Sequence, residues 1–290
     1  MANKLGELLS GGIVMAPGAY DALSARLVEQ AGFPAVYLTG FGVSVSRLGM
    51  PDLGFITMTE MAETLSNMVK TVGIPVIADT DTGYGGVLNT IRTVNLYEDA
   101  GASAIQIEDQ EWPKRCGHIQ GKNIIPKEEM VAKIRAAAEA RTRGMLIIAR
   151  TDAIAVEGFD AAISRAESYL RAGADILFVE APETLEQLVN IPRLLPATHL
   201  INMAEIGNNF ELTAGELGEI GYRLAIYPGT AIMVAVRAIL EALGKLRSEG
   251  STGSLRDNFL TVKEYFTLVG MYDYLQKDKK YSEEACKIPK

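Results

Sequence analysis

Cysteine is scarce in this 290-residue chain: Cys116 and Cys286 are the only two. They stand far apart and allow at most one disulfide, so a reducing, cytoplasmic setting is the expectation. No Cys-x-x-Cys or His-x-x-x-His spacing suggests a zinc site. No basic run of the kind that follows a phosphate backbone occurs, and the net charge is −8, which argues against nucleic acid as a partner. No apolar stretch reaches the roughly 18 residues of a membrane span. The first residues lack the apolar core of a secretion signal. Low-complexity segments are also missing.

What the chain does have is ordinary globular composition, 48% hydrophobic and 22% charged, and one recurring pattern. A helical stretch ends at a small or apolar residue plus glycine, and a short apolar strand follows. Ala31-Gly32, Val72-Gly73, Ala100-Gly101, Ala172-Gly173 and Ile220-Gly221 precede strands at 35–39, 75–79, 104–108, 176–180 and 224–227. Apolar runs at 12–16, 145–150 and 198–202 bring the total to eight. The strands are near-continuous apolar runs, as parallel strands buried on both faces should be. Helical periodicity fills the gaps at 60–70, 128–141 and 161–172. Eight such units in about 240 residues match a (β/α)8 barrel of the TIM type. An open doubly wound sheet would carry a Gly-rich phosphate fingerprint after its first strand, where this chain has Ala16-Pro17-Gly18-Ala19-Tyr20-Asp21.

The expected organisation is a single domain, 1–290, with the barrel at about 10–246 and a helical extension at about 254–290. Residues 230–246 read as the eighth barrel helix. An amphipathic helix at 260–275 has no strand to serve and is expected to pack on a neighbouring subunit or on the barrel exterior. The polar tail from 277 onward is expected to be loose.

Polar residues recur at the C-terminal strand ends: Thr39, then Asp79 and Asp81, Glu108 and Asp109, Arg150 and Asp152, Glu180, then Asn202 and Glu205. In a barrel these ends share the face that carries active sites. Asp152 and Glu205 read equally well as helix caps or surface charges. Several carboxylates converging would repel one another, so the cluster calls for a cation. Asp79-Thr80-Asp81-Thr82-Gly83-Tyr84-Gly85 reads as a hard-metal loop or as an Asx-turn. Oxygen ligands without Cys or His favour Mg2+, with Mn2+ as an alternative. Arg150 ends a wholly apolar strand and needs an anionic partner, such as a substrate carboxylate or Glu180. His199, inside its strand, reads as a core histidine, and Trp112 as loop packing.

The most unusual run is Lys114-Arg115-Cys116-Gly117-His118. A thiol flanked by cations has a lowered pKa. A solvated loop with a chance cysteine is the other reading.

On these residues the chain resembles the isocitrate lyase / phosphoenolpyruvate mutase superfamily, over roughly residues 15–246. Pro51-Asp52-Leu53-Gly54, Ile107-Glu108-Asp109-Gln110 and Ala149-Arg150-Thr151-Asp152-Ala153 support the two motifs above. The resemblance implies a (β/α)8 barrel with a C-terminal helix exchanged between subunits of a homotetramer, a dimer of dimers. It implies Mg2+ held by Asp79 and Asp81, with Asp52, Glu108 and His118 contributing. It places Thr39, Gly40, Phe41 and Gly117 around a small anionic carboxylate substrate. Tyr37, Arg150, Glu180 and Asn202 would contact or orient that substrate. It makes Cys116 the general acid, with Lys114 and Arg115 tuning it, and the 110–124 loop a lid. The implied reaction is retro-Claisen cleavage of a 2-hydroxy acid of the 2-methylisocitrate or 2-alkylmalate type to pyruvate and a second carboxylate, such as succinate or propionate. Carboxyphosphonoenolpyruvate or phosphoenolpyruvate mutase chemistry is the alternative, and oxaloacetate decarboxylation or hydrolysis a third. Residues 203–210 lack the Gly-x-Thr-Pro run of the lyase relatives.

Overall fold

The computed structural model describes residues 2–115, 121–205 and 210–285. Eight parallel strands close on themselves in sequence order. They are β1 (Val14–Ala19), β2 (Val36–Leu38), β3 (Val76–Asp79), β4 (Ala104–Glu108), β5 (Leu146–Thr151), β6 (Ile176–Val179), β7 (Thr198–Asn202) and β8 (Leu224–Tyr227). β1 pairs with both β2 and β8, which completes the barrel.

The unbroken apolar strand sequences have a direct structural cause. Alternate residues face inward and outward, and both sides are packed. Ile77, Ala104, Ile148, Phe178 and Leu200 fill the interior. Val76, Ala78, Ile105, Ile107, Ile147 and Leu177 face the surrounding helices. Those helices include Met58–Thr71, Val87–Ala100, Lys127–Ala140 and Phe159–Arg171. Gly101 ends the second of them with φ +96°, and its N–H returns to the Tyr97 carbonyl, a left-handed turn that an L side chain rarely adopts.

The first strand lies further along the chain than expected. Pro17 and Gly18, read as loop, are inside β1. A β-carbon at Gly18 would sit 2.3 Å from the Pro228 carbonyl oxygen. The strand continues through these residues because glycine lets it pass close to the backbone after β8. Gly18→Ala is therefore expected to cost about 3 kcal/mol and to lower Tm by about 8 °C, read by scanning calorimetry. A helix at Ala2–Gly11 is an addition to the expected elements. Its Leu5 and Leu9, one turn apart, are buried with the interior cluster, a burial each worth about 1.5–3 kcal/mol.

The chain divides into two compact units, 1–234 and 235–290, and the division falls within the helix Thr230–Glu249. In the second unit the single helix expected at 260–275 is two, Val262–Leu268 and Met271–Ala285. Gly270, at φ +70°, separates them. The second helix runs through much of the tail expected to be loose. Lys279–Glu283 and Lys280–Glu284 pairs at i,i+4 favour helix there.

Candidate active site

The strand ends converge on a cavity of about 310 Å3 lined by Tyr37, Thr39, Phe41, Asp52, Asp79 and Glu108. Lys114, Arg115, Arg150, Glu180, Asn202 and Glu205 complete its polar side. Asp81 is fully buried beside it, and Gly40 is buried against Asp79. The expected residues Cys116, Gly117 and His118 lie outside the described residues.

Asp79 closes β3 and accepts hydrogen bonds from the Asp81 N–H at 3.0 Å, from Gln106 Nε2 at 3.4 Å and from the Gly40 N–H at 3.4 Å. The chain then turns through Asp81 at φ +47°, a left-handed conformation that Asp tolerates better than most residues. The Lys114 ammonium lies 2.5 Å from Asp52 Oδ1 and 2.8 Å from Asp81 Oδ1, the latter as an ion contact outside hydrogen-bond geometry. Burial alone would lower the Lys114 pKa, but Asp81, Asp52, Glu108 and Asp79 override it and hold the value well above the ordinary one. Burial pushes Asp81 up to about 7, with Asp79 and Asp52 adding to the shift and Lys114 opposing it. Burial likewise raises Glu108, against the pull of Arg150.

Arg150, near the end of β5, has a closer partner than the expected Glu180. Its Nε and Nη2 each donate to Asp152 at 2.9 Å, while Glu108 and Glu180 stand at 3.4 and 3.7 Å. Asp152 also takes Lys122 Nζ at 2.9 Å. Burial would raise Asp152, but Arg150 and Lys122 bring it down to about 2. Asp152 is thus neither a helix cap nor a surface charge; it holds the arginine in place. Asn202 donates to Glu180 Oε1 at 3.3 Å.

Comparison with known proteins adds a decisive observation. The family model described as phosphoenolpyruvate phosphomutase matches residues 5–247. The chain belongs to the phosphoenolpyruvate phosphomutase family. It is 44% identical to 2,3-dimethylmalate lyase of Eubacterium barkeri, over 97% of this chain and 98% of that one. Identity to 2-methylisocitrate lyase of Aeropyrum pernix is 45%, over 94% and 88%. Solved relatives include an oxaloacetate acetylhydrolase with 3,3-difluorooxalacetate, at TM-score 0.92, 34% identity and 97% coverage of both chains. A 2,3-dimethylmalate lyase of the PEP mutase/isocitrate lyase superfamily superposes at TM-score 0.91, with 36% identity over 97% and 95%. A phosphonopyruvate hydrolase with oxalate and Mg++ does so at 0.89, with 31% identity over 97% and 98%. The chain is a lyase-type enzyme of this superfamily.

Several strand-end residues do other work in this phosphomutase-family barrel. Asp109 faces away from the cavity, although it neighbours Glu108, because adjacent strand-end residues point to opposite sides. It accepts from the Thr151 and Tyr169 hydroxyls at 2.7 Å each and from the Asp152 N–H at 2.9 Å, with Arg165 Nη1 at 3.5 Å. Glu205 accepts from the Gly229 N–H at 3.1 Å and from the Thr230 hydroxyl, at the start of the helix Thr230–Glu249. The Thr39 hydroxyl accepts from the Gly42 N–H at 3.3 Å and caps the short helix Gly40–Val43. His199 is buried, its Nε2–H donating to the Leu195 carbonyl at 2.8 Å. Trp112 rests on Gly54, where a β-carbon would lie 2.9 Å from its ring.

Two contributors escaped the sequence reading. Gln106 links the Tyr37 hydroxyl, 3.1 Å away, to Asp79. Its signal was present: it is a polar residue inside the apolar strand β4. Lys122 had no such signal. The described ends of the 110–124 loop are tied down. Gln110 exchanges two hydrogen bonds with the Arg115 backbone, at 2.8 and 2.9 Å, and Glu111 N–H donates to the Asn123 carbonyl.

The residues present fit a hard divalent cation. Asp81 Oδ2 and Glu108 Oε1 are buried without a hydrogen-bond partner among the described residues. The carboxylates around them supply oxygen, and the Lys114 ammonium stands against Asp52 and Asp81 in the same cluster.

Proposed function

We propose that the chain is a Mg2+-dependent carbon–carbon lyase that cleaves a 2-hydroxy di- or tricarboxylate to pyruvate and a second carboxylate. The observation that carries the reading is the pair of buried carboxylate oxygens on Asp81 and Glu108 that have no hydrogen-bond partner among the described residues, beside the cavity that Arg150 lines. Asp79 and Asp81 would hold the ion, with Asp52 and Glu108 contributing. The bound ion supplies Lewis-acid polarisation of the substrate hydroxyl and carboxylate oxygens. A carboxylate of the strand-end group that does not hold the ion would take the hydroxyl proton. The C2–C3 bond breaks with its electron pair moving to C3, and C2 becomes the carbonyl of pyruvate. Cys116 returns a proton to C3, completing succinate from 2-methylisocitrate or propionate from 2,3-dimethylmalate. Arg150 and Asn202 orient the substrate, Tyr37 is held at the interior edge of the site through Gln106, and walls formed by Phe41, Leu53 and Met233 limit water.

The names of two relatives support this substrate class. The oligomer reading is supported by exposed Phe259, Leu260, Val262 and Tyr265 in the second unit. A second reading, phosphorus–carbon chemistry on a phosphonate, is favoured by the family model's description.

The test is incubation with 2,3-dimethylmalate or 2-methylisocitrate and Mg2+, with lactate dehydrogenase reporting pyruvate. Pyruvate from either is expected. Its absence from both, together with turnover of phosphonopyruvate or of oxaloacetate, would replace the lyase assignment with the corresponding alternative. Cys116→Ser should lower turnover about 10²–10⁴-fold with Mg2+ affinity unchanged. Undiminished turnover would remove the thiol from the mechanism.

A further inference from the structure

Lysine reaches water on a flexible stem, and its ammonium is strongly hydrated. The Lys114 ammonium is nevertheless buried, against two equally buried carboxylates, at 2.5 Å from Asp52 and 2.8 Å from Asp81. The acids account for its position. Asp52 and Asp81 come from different loops, and bringing them together as anions needs a cation between them. The ammonium meets only part of the cluster's demand, since Asp81 Oδ2 and Glu108 Oε1 find no hydrogen-bond partner among the described residues. Nor do three acidic, histidine or cysteine side chains among the described residues form a group able to hold a metal as they stand. Acids arranged around an ammonium account for that.

A hard divalent cation takes several oxygen ligands and would draw on the same carboxylates. It cannot share Asp52 and Asp81 with a lysine at these distances. We propose that Lys114 is the resident counter-ion of the Asp52–Asp81 pair, exchanged for the divalent cation and released by that exchange toward the anionic substrate. The inference rests on the metal-dependent reading above. It makes binding ordered. With the ammonium bound to two aspartates, one of the three cations lining the cavity, Lys114 beside Arg115 and Arg150, is turned to the acids, and Arg150 already faces Asp152, Glu108 and Glu180. Once the metal displaces the lysine, both cations are available at the same site.

The experiment compares Mn2+ binding, by electron paramagnetic resonance, in the wild type, Lys114→Met and Lys114→Arg. Each protein is purified in Mg2+ and then stripped with chelator. Lys114→Met should bind Mn2+ more tightly, on the order of tenfold, because no ammonium has to leave. Its metal-induced rise in Tm should exceed that of the wild type by about 5 °C, because its stripped form holds two acids without a cation. A Lys114→Met protein that folds only with metal bound would support the exchange in the same way. Lys114→Arg, which keeps the charge, should stay near the wild-type affinity. Equal or weaker Mn2+ binding by Lys114→Met, a tight site in Lys114→Arg, or loss of folding even in Mg2+ would each overturn the proposal. Wild-type protein that binds Mn2+ normally while Lys114→Met shows no change sinks the exchange alone. Failure of every protein to bind Mn2+ sinks the metal-dependent reading with it.

Discussion

Asp79→Asn should lower kcat/KM by about three orders of magnitude and leave the protein folded. Asp79 is the most fully positioned carboxylate of the cluster. Donors from three elements fix it: the Gly40 N–H after β2, the Asp81 N–H after β3 and Gln106 within β4. Asparagine keeps its shape and can accept through its amide oxygen, but it removes the negative charge that a hard cation requires. The effect on stability should be small or favourable, because Asp79 is among the charges that oppose ionisation of Asp81. The pyruvate assay, Tm and a Mn2+ titration together check this. A variant that loses turnover while keeping wild-type Mn2+ affinity would exclude Asp79 from metal binding. A variant that unfolds would make it a structural residue.

The largest effect on stability is expected at Asp109→Ala, which should lower Tm by about 10 °C and leave the folded fraction able to bind metal. One buried carboxylate here gathers the Thr151 and Tyr169 hydroxyls, the Asp152 N–H and the Arg165 guanidinium. These groups belong to β5, to the turn that follows it and to the helix Phe159–Arg171. Alanine would leave all four donors without this acceptor at a buried site, and removing one partner of a buried ionic network costs about 3–5 kcal/mol. Arg165 keeps its pair of 2.8 Å bonds to Glu157, which limits the loss. Asp109→Asn should cost less, since the two hydroxyls can turn to donate or accept. Thermal unfolding of both variants measures the difference. An Asp109→Ala protein within a degree or two of the wild type would show that water replaces the carboxylate.

The strands were legible because burial on both sides imposes an apolar run that no other element here requires. β1 was misplaced for a physical reason as well. Pro17-Gly18 is ordinary turn chemistry in isolation, and only the backbone at Pro228, far along the chain, makes glycine necessary in a strand. The break at Gly270 was hidden in the same way, since the apolar spacing of Tyr265, Phe266, Val269 and Tyr272 continues across it.

At the site, strand-end position pointed to Asp79, Glu108, Arg150 and Glu180, which line one cavity because the barrel brings those ends together. It did not separate Glu108 from Asp109, which adjacent positions turn to opposite sides. It also could not foresee which acid each cation would meet. Lys114 sits beside Cys116 in sequence and reads as its electrostatic neighbour, yet it pairs with Asp52, 62 residues away. Arg150 turns to Asp152, two residues on, and Lys122 reaches the same carboxylate across 30 residues. Motifs report residue types at close spacing, whereas these contacts depend on which loops the barrel sets side by side.

The Glu205 contacts bear on how such a protein can diverge. Its carboxylate is committed to the Gly229 amide and the Thr230 hydroxyl, and Phe210 packs with Ile201 and Leu217 in a small core of its own. A lineage that replaces Glu205 would release the Gly229 amide and the Thr230 hydroxyl at the rim of the cavity that this carboxylate itself lines, so a change at this one position would reshape the pocket without touching the cluster around Asp79.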